Sequence, residues 1–357
     1  MRPGVESVVA EVLNSRWVGQ GPKVDELEAI FQARYGRPCV LTNSGTAALH
    51  LALIVAGVTQ KDLVASPVLT CTATNQAILH QGAIPSFCDV QKNSLNISPD
   101  AIRQALKYDP IAAVMITHLN GDPCELKEIR MVCDSYGVPL IEDAAQAFGA
   151  MDDGTEIGNA GEFVAFSFQA IKHITCGDGG LLVCASEEDA ARARKLRWFG
   201  IDRKSKREMG WHAWKNGGKT FDIEEVGYKY QMTDIDAAIL MHNLPWSDAW
   251  LSRRREIANM YRMNLQGVGF FRQHFGSSCW SFPIEVENRD HFIADMDARG
   301  IETSIGQVRN DVYTVFGGVK MDLPNMNRIE DRYVYLPIHP TLTDDDVFQV
   351  IQAVNSR

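Results

Sequence analysis

Cys39-Val40-Leu41-Thr42-Asn43-Ser44-Gly45 runs straight into Thr46-Ala47-Ala48-Leu49-His50-Leu51-Ala52-Leu53-Ile54-Val55-Ala56-Gly57. The first half is a short apolar run closed by turn-forming residues, which predicts a strand. The second half is long enough for an apolar helix, and Gly57 stops it. The same alternation continues outward through LVASP (63–67), TATNQAILHQG (72–82) and IPSFCDV (84–90). It goes on through DAIRQALKY (100–108), IAAVMITHL (111–119), CELKEIRMVCDSYG (124–137) and VPLIEDAA (138–145). Strands alternating with helices of about 10–15 residues imply crossover units and a parallel sheet. IAAVMI and VPLI lack period-2 alternation, as strands covered on both faces do. The expected class is therefore α/β, a mostly parallel sheet sandwiched by helices. Ligands of such sheets gather at the carboxyl ends of the strands. That directs attention to Asn43–Thr46, His118, Asp143 and Ser167.

The pattern changes after Cys184. Residues 186–199 read as a helix, and 200–225 as a long polar loop rich in Lys, Arg, Gly and Trp. A further helix runs from Thr233 to about Leu244, and WLSRRREIANMYRMNL (250–265) is a long linking helix. SCWSFPIEV, DHFIADMDARG, IETSIG and DDDVFQVIQAV then form an α+β pattern. We expect a large domain over 1–250 and a smaller C-terminal α+β domain over 251–357.

A chain of 357 residues, 45% apolar and 22% charged, has ample core and no disordered composition. Its 35 Lys and Arg against 45 Asp and Glu give a net charge of -10, so no global basic field recruits nucleic acid. No stretch approaches about 18 uninterrupted apolar residues, so no membrane span is expected. The eight cysteines form no C-x-x-C pair and sit mostly in apolar surroundings. Reduced thiols in a cytoplasmic protein, with no metal site, are the expectation. The glycine fingerprints of dinucleotide and P-loop folds are absent, as are H-E-x-x-H and G-x-S-x-G.

Three stretches could carry chemistry. In Thr42–Leu49, small residues at a helix N-terminus let backbone N–H groups approach a phosphate, although Ser44 or Thr46 could simply cap the helix. Glu142 and Asp143 close an apolar strand, and alternation points them to opposite sides, so one of them faces a ligand. A buried carboxylate there needs a positive partner, or it caps the helix that follows. Glu142, facing away, is expected to be the more tolerant of the two. In Ala165–Gly180, Lys172 lies among apolar and small residues between two strands, where desolvation lowers an amine's pKa. His173 beside it reads as a packing residue. A phosphate cradle, an acidic strand end, then a Ser followed five residues later by a Lys meet the needs of a pyridoxal 5'-phosphate enzyme.

At these residues the sequence resembles the DegT/DnrJ/EryC1/StrS sugar aminotransferases, of the fold-type I, aspartate aminotransferase-like superfamily. The resemblance runs from Gly19–Val24 through the cradle, Thr117–Leu119, Glu142–Gln146 and the lysine loop to Gly227–Asp234. It implies that Lys172 binds the cofactor aldehyde, that Asp143 pairs with the pyridine nitrogen, and that Gly45, Thr46 and Ser167 hold the phosphate. Gln146 is implied beside the ring's phenolic oxygen. Also implied are a pyridoxamine 5'-phosphate intermediate form, an amino-acid donor such as glutamate or glutamine, and a nucleotide-linked 4-keto-6-deoxyhexose as acceptor.

Cys71 stands where the family has a ring-covering aromatic residue, a loss of about 1 kcal/mol of stacking. GYKYQ replaces a GYNYR-like segment that reaches the partner subunit's phosphate site, so Lys229 or Gln231 takes that role. Gly306 stands where a histidine is usual. A sugar dehydratase on the same scaffold is the alternative enzyme, disfavoured because relatives of that kind replace the lysine with histidine. A cofactor-binding regulatory protein is the alternative outside enzymes. A homodimer with composite sites is expected, with Trp211, Trp214, Phe221 and the cations Lys204, Lys206, Arg207, Lys215 and Lys219 forming an interface or lid.

Overall fold

A computed structural model of the chain describes residues 1–203, 206, 214–215, 218–219 and 221–357, with backbone alone for Trp214, Lys215 and Lys219. Helices α1 (Val5–Ser15) and α2 (Pro22–Tyr35) precede strand β1 (Cys39–Thr42) and helix α3 (Gly45–Val55). There follow β2 (Leu63–Pro67), α4 (Thr72–His80), β3 (Ile84–Cys88), α5 (Pro99–Tyr108), β4 (Ile111–Thr117), α6 (Leu126–Tyr136) and β5 (Leu140–Asp143). A two-strand ribbon, β6 (Met151–Asp152) and β7 (Thr155–Glu156), leads to β8 (Phe163–Ser167), β9 (Gly180–Cys184) and α7 (Glu187–Leu196).

Seven strands make one sheet in the order β1-β9-β8-β5-β4-β2-β3. The pairs β2–β3, β2–β4, β4–β5 and β5–β8 are parallel, and β9 alone runs against its neighbours β1 and β8. The expected parallel, doubly covered sheet is therefore present with one reversed strand. Alternate residues of each central strand enter opposite cores. Leu41, Val114, Ile116, Leu140, Val164 and Phe166 pack with α2, α5 and α6. Val40, Ala113, Met115, Ile141, Phe163 and Ala165 pack with α3, α4 and α7. Each fully buried aliphatic or Phe side chain contributes about 1.5–3 kcal/mol by leaving water, which fixes the register of the strands. Register fixes the carboxyl edge in turn: Thr117 lies opposite Asp143, Asp143 opposite Ala165, and Ser167 opposite Gly180, which pairs on its other side with Thr42.

The stretch 200–225, read as a loop, contains a short antiparallel ribbon, β10 (Trp214–Lys215) with β11 (Gly218–Lys219). A helix over Asp234–Asn243 starts at a capping box of Thr233 and Asp236, and the long helix spans Ser247–Asn264. Beyond it, β12 (Gly269–Phe270), β13 (Phe282–Glu285) and β14 (Tyr333–Leu336) form a three-stranded antiparallel sheet. Its core unites Tyr261, Phe282, Phe292, Met296 and Val334 with Val347 and Ile351 of the last helix, Asp344–Asn355. A smaller cluster joins Val68, Leu69 and Leu119 to Met326, Ile329 and Tyr335, and so seats this region against the carboxyl edge of the main sheet. None of the described helices is long and apolar enough to cross a membrane.

Candidate active site

The N-terminus of α3 meets the end of β8 in a tight notch. Ser44 is its cap, its hydroxyl accepting the Ala47 N–H at 3.1 Å, and Ala48 N–H bonds to Ser44 O. The first N–H groups of a helix have no partner inside it, so those of Gly45 and Thr46 are left pointing out of the turn. Packing requires glycine at 45: a Cβ there would sit 2.8 Å from Ser167 Cβ. At Gly180 a Cβ would lie 2.2 Å from Ser44 O. The two glycines thus bring the helix terminus against the end of β8. Ser44 thus caps the helix, and the N–H groups of Gly45 and Thr46 stay available.

Asp143, buried, ends β5. Its Oδ1 accepts Ala145 N–H at 3.0 Å and its Oδ2 accepts the Thr74 hydroxyl at 2.6 Å. Thr74 Oγ1 lies 2.8 Å from Thr70 Oγ1, which lies 2.9 Å from Thr117 Oγ1. A carboxylate can only accept, so Thr74 donates to Asp143, and the chain of hydroxyls runs in one direction from Thr117. Their linkage escaped the sequence reading because no local pattern joins Thr117 to Thr70 and Thr74. Only the parallel register does.

Glu142 points the other way, as alternation requires, but the expectation that it is tolerant fails. It is wholly buried. Its Oε2 accepts His118 Nε2–H at 2.8 Å, and its Oε1 takes the Gly161 N–H. His118 Nδ1 accepts Cys124 N–H at 3.1 Å, which fixes the tautomer. Burial lowers the Arg37 pKa, and the nearby Glu142 charge opposes that fall. His118, flagged for its place at a strand end, thus braces Glu142 rather than facing the notch.

Lys172 sits in the turn after β8, its N–H on Gln169 O at 2.9 Å. Burial lowers its amine pKa, and the charges of Asp143 and Cys71 pull it back up. The amine therefore lies within electrostatic reach of both residues. The Trp280 ring lies 4.6 Å from Lys172 Nζ, and its indole N–H donates to Ile171 O at 3.2 Å. Cys71 is the half-exposed residue preceding α4. His173 is buried, donates from Nε2 to Ser278 O at 3.1 Å, and is pushed down to about 3 by burial, so it is a neutral packing residue as read.

Gln146 is buried and accepts Asn120 N–H through Oε1 at 2.6 Å, while Ser278 Oγ donates to its main-chain oxygen at 2.9 Å. Trp280 N–H in turn donates to Asn120 O at 2.9 Å. Asn120, with a positive φ of 64°, is the hub between Gln146 and Trp280. Neither Asn120 nor Trp280 carries a sequence signal. In the GYKYQ segment, the exposed Lys229 extends to 5.5 Å from the Phe199 ring. Gln231 bridges to Thr42, and its Oε1 is buried without a partner. Lys206 lies over Phe221 at 4.7 Å. Lys204, Arg207 and Trp211, with the side chains of Trp214, Lys215 and Lys219, fall outside the described residues.

Past Gly306, Arg309 is buried and pairs with Asp311 at 2.6 and 2.8 Å and with Glu330 at 2.8 Å. Asn310 donates to Val68 O at 2.7 Å and to Thr70 O at 2.9 Å. This stretch clasps the C-terminal region to the loop that carries Thr70 and Cys71.

Residues 4–355 match the DegT/DnrJ/EryC1/StrS aminotransferase family. An uncharacterised protein of Methanocaldococcus jannaschii is 36% identical over 97% of this chain and 92% of its own length. The spore coat polysaccharide biosynthesis protein SpsC of Bacillus subtilis is 33% identical over the same shares. The sugar aminotransferase CalS13 of Micromonospora echinospora superposes with a TM-score of 0.92 at 33% identity, over 100% of this chain and 97% of that one.

Proposed function

The chain belongs to the DegT/DnrJ/EryC1/StrS aminotransferase family, and from that premise we propose that it moves the amino group of glutamate onto a keto sugar, in first place a nucleotide-linked 4-keto-6-deoxyhexose. It is a pyridoxal 5'-phosphate-dependent aminotransferase of fold type I. The reading rests on one observation above the others: the carboxyl edge of the sheet brings together the buried Asp143 carboxylate, the half-enclosed Lys172 amine whose pKa that charge raises, and the close contact of Gly45 with Ser167.

The residues fit the cofactor. Gly45 lets the α3 N-terminus close onto Ser167, where a Cβ would lie 2.8 Å from Ser167 Cβ, so the free helix N–H groups and the Ser167 hydroxyl are held side by side. Asp143 is a buried carboxylate whose two hydrogen bonds come from uncharged donors, so a further cation suits it. When bound, the cofactor supplies a reactive aldehyde and a ring that withdraws electrons once its nitrogen is protonated. In this reading Gly45 and Thr46 N–H and the Ser167 hydroxyl hold the phosphate, with the α3 dipole assisting. Asp143 would keep a proton on the ring nitrogen, and the threonine chain orients the carboxylate. Gln146, fixed by Asn120, would meet the ring's phenolic oxygen, and Cys71 would take the place of the family's aromatic residue. Lys172 would bind the cofactor's aldehyde and, once freed as an amine, would carry the proton from the donor's α-carbon to the cofactor. Desolvation makes that possible, because it raises the neutral fraction of the amine near neutral pH. Lys229 or Gln231 of each subunit completes the phosphate site of the other in a homodimer.

The test is incubation of the pure protein with glutamate and a panel of nucleotide-linked keto sugars, with mass detection of amino sugar and 2-oxoglutarate. Amino sugar from a 4-keto-6-deoxyhexose carries the proposal. Turnover of glutamate with no sugar in the panel aminated overturns the acceptor assignment.

A further inference from the structure

The residues on both sides of Lys172 are tied to one short segment of the C-terminal region. Ile171 O accepts the Trp280 indole N–H at 3.2 Å, and His173 Nε2 donates to Ser278 O at 3.1 Å. Residues 278–280 therefore splint the lysine loop just before and just after the amine. Between those two ties the Trp280 ring lies 4.6 Å from Lys172 Nζ. Among the described residues no side chain forms an ion pair or hydrogen bond with that amine, and the indole face is the group packed against it.

Trp280 is itself fixed from several directions. Its main-chain N–H donates to Asn120 O at 2.9 Å, and its main-chain oxygen accepts Arg254 Nη1 at 2.9 Å. Arg254, on the long helix Ser247–Asn264, is 5% exposed and pairs with no carboxylate among the described residues. Its other acceptors are the main-chain oxygens of Cys279 at 3.5 Å and Ile338 at 2.9 Å. A buried cation with carbonyl partners alone is costly to keep, and burial pushes this guanidinium down to about 10. Cys279, just before Trp280, has a φ of +52°, a conformation that side chains rarely adopt and that persists only where the surroundings impose it. Trp280 is only half-buried, so core packing does not account for an unpaired arginine and a strained residue holding its main chain.

We propose that Trp280 is a positioning residue for Lys172, its indole face steadying the protonated amine while that amine carries the proton from the donor. The inference rests on the reading of Lys172 as the proton carrier. The amine takes the proton as the donor's C–H bond breaks, and the bonding pair passes to the electron-withdrawing ring. It is a cation until it gives the proton up, and it ends neutral, as it began. A cation in a partly desolvated place is drawn to the negative face of an aromatic ring, and most strongly to an indole. The ring favours only the charged form in this way, so its contribution falls on proton transfer and not on binding of the donor. The ties to Ile171 and Ser278 keep ring and amine in register.

The experiment compares Trp280→Phe and Trp280→Leu with the wild-type enzyme. Phe keeps an aromatic face and removes the indole N–H, whereas Leu removes both. The holoenzymes are mixed with glutamate and with α-deuterated glutamate, and cofactor absorbance gives the saturated single-turnover rate and the donor's apparent dissociation constant. Trp280→Leu should slow the saturated rate about 5- to 30-fold and leave the dissociation constant within about 2-fold of wild type. Its deuterium isotope effect should be at least as large as the wild-type one. Trp280→Phe should lose about 3-fold or less. The apoenzyme gives a readout independent of turnover: trinitrobenzenesulfonate should label Lys172, mapped by peptide mass, faster in Trp280→Leu than in wild type. Equal rate losses in the two variants overturn the proposal, because they place the effect on the indole N–H or on packing. So do a saturated rate within about 2-fold of wild type in Trp280→Leu, a loss that appears in the dissociation constant, or unchanged labelling. Should Trp280→Leu fail to fold, a loss beyond about 10-fold in Trp280→Phe overturns it and a loss of about 3-fold or less supports it. Borohydride fixation on Lys172 is checked in the same wild-type sample. An adduct elsewhere overturns the reading of Lys172 and this inference with it, whereas the other outcomes overturn the inference alone.

Discussion

Glu142 and Asp143 are neighbours with opposite surroundings, and the contrast sets two expectations. Asp143 lies within electrostatic reach of Lys172, so Asp143→Asn should preserve the fold and slow the glutamate half-reaction about 10²- to 10³-fold, the usual cost of losing one preorganised charge. Stopped-flow absorbance of the bound cofactor checks this, and a near-normal rate counts against the pairing. Glu142 holds His118 and the Gly161 N–H in a fully buried site. Glu142→Ala strands both donors and should lower unfolding free energy by about 2–5 kcal/mol in urea titration. Alternation along β5 made their opposite directions legible. It did not show that the side facing away is a closed ion-and-hydrogen-bond site, because His118, Gly161 and Arg37 come from three other segments.

At the scale of elements, the notch depends on how α3 meets β8. Gly45→Ala places a methyl group 2.8 Å from Ser167 Cβ, so it should weaken cofactor binding by 10-fold or more in equilibrium dialysis while changing the secondary structure little. Pyridoxal phosphate held with wild-type affinity by that variant would refute the notch as the phosphate site. The lysine loop should carry an acid liability. His173 is pushed down to about 3 in the folded chain, whereas an unfolded histidine titrates near 6.5. The folded state then binds fewer protons below that value, and stability falls as pH drops from about 6.5 toward 3, by at most about 1.4 kcal/mol per pH unit. His173→Asn should flatten the pH dependence of unfolding across pH 4–6. The strand–helix alternation, the Ser44 cap and the helix starting after Thr233 were all readable from local pattern. The threonine chain, Asn120 and Trp280 were not, since each acts across elements that only the sheet register and the C-terminal region bring together.

For the whole molecule, the large sheet provides the strand edge and the C-terminal region closes over it through Asn310, Arg309 and Tyr335. We keep the domain boundary near residue 250, within the helix Ser247–Asn264, as a proposal. Shared sites in a homodimer can be tested by mixing Lys172→Ala protein with the Lys229→Ala/Gln231→Ala double variant. Reassociated heterodimers should recover up to about a quarter of wild-type activity, one intact site in half the molecules, where neither parent is active. Monomers that remain fully active by light scattering exclude the arrangement. The central claim, that Lys172 is the residue on which the cofactor chemistry turns, has a more direct test. The purified holoenzyme is treated with borohydride, digested and mapped by mass spectrometry. The account predicts a single pyridoxyl adduct on the peptide containing Lys172, and no adduct in Lys172→Ala. An adduct on a different lysine in the wild-type protein would contradict it.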